Sequence, residues 1–121
     1  MLTVENVTLD SFGIEVSRGP DALNLTLTGT ADMAVHDVLK VSLSALRADV
    51  QRLGLGSVCI DIRALYLLNS SSIKLLLRLV YLAQTEQPSF SIEFLVDANL
   101  SWQARALAPL VRMAPELVRV S

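Results

Sequence analysis

The chain has one cysteine and one histidine among 121 residues, and each shortage removes a class of chemistry. A lone Cys59 forms no internal disulfide. His36, Cys59 and the scattered carboxylates show none of the ligand spacing of a metal site. The glycines, five in all at positions 13, 19, 29, 54 and 56, make neither of the common phosphate-cradling loops. Gly-x-Ser-x-Gly is missing as well, so no serine is set on a strained nucleophile elbow beside the His36-Asp37 pair. The residues offer no constellation for catalysis, no metal site and no cofactor site, and a binding or regulatory role becomes the leading class.

Charge and aromatic content are equally spare. Ten Lys and Arg against twelve Asp and Glu leave a net charge of −2 and a pI near 5.2, with only 5% aromatics and no basic run. Nucleic acid is excluded as the expected partner, because phosphate binding needs a positive footprint and base stacking needs exposed rings. The longest apolar stretch, Leu75 to Ala83, is broken by Arg78 and is about half the length a bilayer requires. No membrane span is expected. Met1 to Asp10 has neither the basic region nor the apolar centre of a signal peptide, so a cytoplasmic protein is expected. The Asn-x-Ser/Thr triplets at Asn6, Asn24, Asn69 and Asn99 then carry no weight as glycosylation sites.

What is present is core. Hydrophobic residues make up 52% of the chain against 18% charged, which is a globular composition. A single domain spanning residues 1–121 is expected, burying roughly two-thirds of its unfolded surface without a disulfide or a structural metal. Phe12, Ile14 and Val16 alternate with Gly13, Glu15 and Ser17 at the period of a strand. Ser17 to Asp21 supplies turn residues, and Leu23, Leu25 and Leu27 continue as a second strand of the same hairpin. Val35, Leu39, Leu43, Leu46, Val50 and Leu53 then form the stripe of an amphipathic helix that stops at Gly54 or Gly56. His36, Lys40, Ser44, Arg47 and Gln51 fall opposite, so His36 is expected in solvent.

Val58 to Ile62 reads as a central strand buried on both faces, with Cys59 a small buried hydrophobe. The polar cluster Asn69 to Ser72 caps a second helix over Ile73 to Gln84. A strand follows over Phe90 to Val96 after the Gln87-Pro88 break. A third helix starts near Ser101, with Trp102, Ala106 and Met113 as its apolar stripe and Pro109 disturbing it. Pro115 closes that helix before a short strand at Leu117 to Val120. Helices alternating with strands after a hairpin make an α/β domain. It has a mixed sheet of four to five strands, with parallel neighbours, and three or more helices.

Asp61-Ile-Arg-Ala-Leu-Tyr-Leu-Leu-Asn-Ser-Ser-Ser-Ile73 ends a strand in Asp, carries three apolar anchors through a loop and opens a helix on a serine-rich cap. The stretch resembles the signature of STAS domains, the sulfate-transporter and anti-sigma-factor-antagonist superfamily. That signature runs Asp-Leu-x-x-Val-x-x-x-Asp-Ser-Ser-Gly-Leu, and Asp61, Leu65, Ser70 and Ser71 match it without a gap. Upstream, Leu25-Thr-Leu-Thr-Gly29-Thr-Ala-Asp32 is similar to the family's Leu-x-Gly-x-Leu-Asp. The signature's second Asp is Asn69 here, and its Gly is Ser72. Leu65 to Lys74 is closer to the SiaC-like branch of STAS-related regulators, with one extra leucine and Ser for Thr at the acceptor. The resemblance implies a STAS-like fold over roughly residues 12 to 115, and no enzymatic activity. It also implies a partner-switching role in bacterial signal transduction, in which the first hydroxyl after the Asp or Asn, here Ser70, accepts a phosphate. A serine/threonine kinase, a phosphatase and an effector protein (an anti-sigma factor or a diguanylate cyclase) are the implied partners.

The residues themselves agree with that placement. A helix N-terminus presents unpaired backbone donors and the positive end of the dipole, so a phosphate at Ser70 is well placed. Asn69 in place of Asp removes a like charge beside it. The plain alternative is that Asn69 or Ser70 only caps the helix. In the second helix Lys74, Arg78, Tyr81 and Thr85 share a face while apolar residues cover an arc of about 220°, wider than one sheet face needs. The expected partner-binding residues are therefore Asn69, Ser70, Ser71, Ser72, Lys74 and Arg78, with a homodimer as a further possibility. Two alternatives share the fold: a phosphorylation-independent scaffold or transporter-complex subunit, and a small-molecule-binding domain.

Overall fold

Alternation along the two opening strands sets the sheet. In the computed structural model, which describes residues 2–121, β1 (Val7–Thr8), β2 (Phe12–Arg18) and β3 (Ala22–Ala31) are antiparallel neighbours. Ile14 faces Leu27 and Val16 faces Leu25 across the hairpin, so the apolar sets of both strands point the same way. Gly29 has φ of +86°, and a Cβ there would stand 2.1 Å from the Ser11 carbonyl oxygen. Only glycine fits this close approach. A 3₁₀ turn at Met33–Val35, capped by Asp32 Oδ1 accepting from Ala34 N–H at 2.9 Å, leads into α1 (His36–Leu53). That helix ends on Gly54 in the left-handed conformation, as the sequence predicts.

The rest of the chain adds parallel strands and covers them. β4 (Ser57–Asp61), β5 (Leu65–Leu68), α2 (Ser70–Thr85), β6 (Ser91–Leu95), α3 (Ser101–Met113) and β7 (Val118–Val120) complete the order. β4 lies between β3 and β6, β7 pairs with β6, and β5 pairs with the far half of β3, all in parallel. The sheet thus has seven strands where four to five are expected. The two additions are β1, only two residues long, and β5, which the sequence presents as a loop with apolar anchors. α1 packs on α2 and α2 on α3, a continuous helical layer over one sheet face.

That single layer corrects the reading of β4 as buried on both faces. Val58 and Ile60 are buried under the helices beside Leu23, Leu25, Ile92 and Phe94, while Ser57, Cys59 and Asp61 are half-buried on the open face. Cys59 is therefore not a core residue, and burial together with Glu93 and Asp61 nearby pushes its thiol pKa up, away from thiolate reactivity. α3 also differs from expectation. It continues through Pro109 to Met113 and buries Gln103, Leu107 and Leu110, followed by Ala114 just beyond its end, while Trp102 is only half-buried and Met113 is exposed.

Candidate functional site

The site begins where β5 hands the chain to α2. Asn69 is the N-cap: its extended backbone lets Oδ1 accept from Ser72 N–H at 2.9 Å, and its own N–H donates to the Ala31 carbonyl at 3.0 Å. The first contact satisfies one of the orphan donors of the helix. The second ties the cap to the end of β3. Behind it, the buried Gln103 donates to the carbonyls of Ile62 and Leu65 at 2.7 and 3.0 Å and accepts from Asp97 N–H at 2.8 Å. A side chain of α3 thus holds the segment on which the cap is mounted. Asp61 is occupied in the same segment by Arg63, whose guanidinium approaches to 2.7 Å. Hydrogen bonding to Arg63 holds the Asp61 carboxyl below its ordinary range against the opposing effect of burial.

The three serines of the cap have different surroundings. Ser70 is exposed, and its hydroxyl has no protein partner among the described residues. Ser71 is half-buried, with Oγ 2.5 Å from His36 Nδ1. The hydroxyl donates to the ring in the tautomer protonated on Nε2 and accepts from it in the other. Ser72 is fully buried, and its Oγ has no hydrogen-bond partner among the described residues. His36 is therefore not a free solvated side chain, and its position on the polar face of α1 is what turns it toward α2. The contact joins residues 35 apart, which periodicity alone does not reveal.

Exposed apolar groups lie on the elements that lead into α1 and α2. Tyr66 and Leu67 of β5 are 72% and 45% exposed, and Met33 of the 3₁₀ turn is 68% exposed. Large solvated side chains of this kind mark contact surfaces when they gather. Further along α2, Lys74 and Arg78 are exposed, Leu76, Leu79, Val80 and Ala83 are buried, and Leu75, Leu77 and Leu82 are half-buried. The free apolar rim of α2 is thus narrower than its sequence arc, because α1 and α3 cover its flanks.

A Ser-His pair invites a nucleophilic reading. Among the described residues no carboxylate hydrogen-bonds to the second ring nitrogen of His36, and the nearby Asp32 carboxylate is engaged in its own cap. The orienting third group of a hydrolytic triad is thus missing. Among the described residues there is also no cluster of three His, Cys, Asp or Glu side chains able to hold a metal ion, and no helix is long and apolar enough to cross a membrane.

No protein-family profile matches the chain, and no curated protein matches it in sequence. The fold does have a solved counterpart, an anti-sigma factor antagonist from Mycobacterium paratuberculosis. The two superpose with a TM-score of 0.68 at 18% sequence identity, over 93% of this chain and 88% of that one. The α/β architecture expected from the sequence, a mixed sheet with parallel neighbours and three helices, is the fold observed, and it is the fold of that antagonist.

Proposed function

We propose that this chain is a non-catalytic, cytoplasmic regulatory protein of the partner-switching kind. It binds a protein effector through the loop from Asn69 to Lys74 and the face of α2 that carries Arg78. A serine/threonine kinase and a phosphatase act on Ser70, and the effector is an anti-sigma factor or, as the resemblance of the loop to the SiaC-like branch implies, a diguanylate cyclase. One observation carries the reading. Of three consecutive hydroxyls in one helix cap, Ser70 alone is exposed without a partner, while Ser71 is held by His36 and Ser72 is buried. A kinase needs an accessible hydroxyl, and the added dianion needs donors, which the first turn of α2 supplies. Intact-mass and fragment analysis of the protein from its own cells tests it. A sub-stoichiometric phosphate on Ser70 supports the switch, and an unmodified chain under all growth conditions favours the phosphorylation-independent scaffold.

A small-molecule reading is favoured by a different observation. An apolar pocket of about 380 Å³ lies between the N-terminal segment and α1, lined by Val4, Val7, Val38, Val41 and Ala45, with Asp37 at its edge. Native mass spectrometry of the purified protein, searching for a retained ligand, decides it.

A further inference from the structure

The N-terminal segment is pinned at two points. Asp49, buried in α1, accepts from the N–H groups of Thr3 and Val4 at 2.7 and 2.8 Å, and Asn6 Oδ1 accepts from Val16 N–H at 2.8 Å. Held in this way, the segment stands as a fixed wall beside α1, and the pocket of about 380 Å³ is the space between them. Val7, Val38, Val41 and Ala45 give it an apolar lining, with Val41 68% exposed. A preformed cleft of this volume is in the range of small-molecule sites.

Polar side chains of the lining are left without partners. Ser42 is only 6% exposed, and its hydroxyl makes no hydrogen bond among the described residues. Glu5 and Asp37 are exposed, and neither carboxylate forms an ion pair or a hydrogen bond among the described residues. No Lys, Arg or His lines the pocket. Arg52 of the same helix is paired with Asp49, and Lys40 lies on the flank of α1 toward α2. A carboxylate or phosphate entering here meets like charge with no cation to offset it, whereas an ammonium meets two carboxylates. We infer that the pocket binds a small amphiphilic amine, its apolar group, the size of one ring or one branched chain, on Val7, Val38, Val41 and Ala45 and its ammonium against Glu5 and Asp37. The Ser42 hydroxyl supplies a hydrogen-bonding group inside the cleft.

This ligand class rests on the small-molecule reading of the pocket given above and does not involve Ser70. Asp37 has a second role, because the helix dipole favours a carboxylate in the first turn of α1. Glu5 lies outside any helix, and its charge has no such use. Exposed carboxylates attract a cation only modestly, so the mark of the site is selection by charge rather than tight binding.

The test titrates three probes of one shape into the intact protein at millimolar concentration and follows backbone amide shifts. Phenethylamine is a cation at neutral pH, 2-phenylethanol is neutral and 3-phenylpropanoate is an anion. Phenethylamine is expected to give saturable shifts along residues 3–7 and 37–45, with an affinity about threefold or more above that of the alcohol, the size of an exposed charge interaction. The propanoate should give none. Glu5→Gln/Asp37→Asn should bring the amine down to the level of the alcohol, and Val41→Ser should weaken both. Glu116→Gln, in the turn before β7 at the far edge of the sheet, should change nothing. If the double variant does not melt cooperatively, Glu5→Gln alone replaces it. Equal or tighter binding of the alcohol or the propanoate at these residues would overturn the amine class and leave the small-molecule reading standing. No shift at these residues with any probe would overturn both. Shifts elsewhere, or indifference of the amine to the Glu5 variants, would also overturn the amine class. Shifts at these residues that grow with protein concentration alone would assign the pocket to a second copy instead. Binding of a lysine-rich peptide without binding of phenethylamine would assign it to a basic protein segment.

Discussion

Ser71 Oγ lies 2.5 Å from His36 Nδ1, joining the first turn of α2 to the first turn of α1. The contact withdraws one hydroxyl of the cap and leaves its neighbour Ser70 exposed. It also fixes the parallel alignment of two helices that begin 34 residues apart, since α1 starts at His36 and α2 at Ser70.

The Ser70 series follows from that division of roles. Ser70→Ala should bind the effector constitutively, and Ser70→Asp or true phosphoserine should bind weakly, because an apolar partner surface must desolvate the added charge. Both variants should melt within a few degrees of wild type, since Ser70 is exposed and the cap itself is made by Asn69. Calorimetric affinity beside a thermal melt reads both. Equal affinity for every form reduces Ser70 to a helix residue, and unfolding of Ser70→Asp makes it structure.

Truncating Lys74 and Arg78 together to Ala should leave stability within about 0.5 kcal/mol of wild type, the usual size of a surface change. Capture of the native effector should weaken. A double variant that binds as well as wild type places the interface elsewhere on the molecule.

The Ser71–His36 contact should not confer turnover, because no third group orients the ring among the described residues. Ester, phosphate and nucleotide substrates should remain intact in long incubations. His36→Ala should lose about 0.5–1.5 kcal/mol of stability, the net worth of one hydrogen bond. Reproducible hydrolysis that disappears in His36→Ala would establish an activity instead.

Asp49 holds down the N-terminal segment. It is fully buried, accepts from Thr3 and Val4 N–H at 2.7 and 2.8 Å, and stands 3.0 Å from Arg52. Burial raises its pKa, but the Val4 N–H, the Arg52 guanidinium and the Thr3 N–H more than offset that, and the net direction is downward. A carboxyl lowered on folding stabilises fully above its unfolded value of about 3.9 and loses that contribution as pH falls through the folded one. Asp49→Asn should therefore be less stable at neutral pH by about 1–3 kcal/mol, the penalty of leaving a buried donor unsatisfied. Its stability should also fall less steeply on acidification below pH of about 4. Denaturant titrations across the acid range check both.

Ser72→Ala should be neutral or stabilising. The buried Ser72 hydroxyl has no partner among the described residues, so removing it relieves a desolvation penalty, and alanine is the better helix former. A rise in Tm of up to a few degrees is expected. A clear fall would mean that the hydroxyl has a bound water or another partner.

Much of the fold was legible because its signals are local. The alternation in Phe12–Val16 and Leu23–Leu27, the stripe from Val35 to Leu53, Gly54 at the helix end and Asn69 at the helix start each depend on neighbours within one or two turns. β5 was not legible. Its Leu65-Tyr-Leu-Leu68 run buries its first and last residues and lacks the two-residue period, because it pairs with β3 across the register shift at Gly29 and Thr30.

The site divides along the same line. By itself the sequence determined that the polar run Asn69 to Ser72 caps α2 and that Lys74 and Arg78 share one of its faces, since caps and helix faces are properties of contiguous residues. Only the tertiary structure decided which serine is free, through His36. It also decided that Gln103 holds the Ile62–Leu65 segment and that Arg47 of α1 meets Glu86 at the end of α2. Each of these brings together residues more than thirty positions apart, and which distant side chains meet is set by how whole helices seat on the sheet. Packing of that kind depends on the volume and shape of all the layers at once, and no local period encodes it.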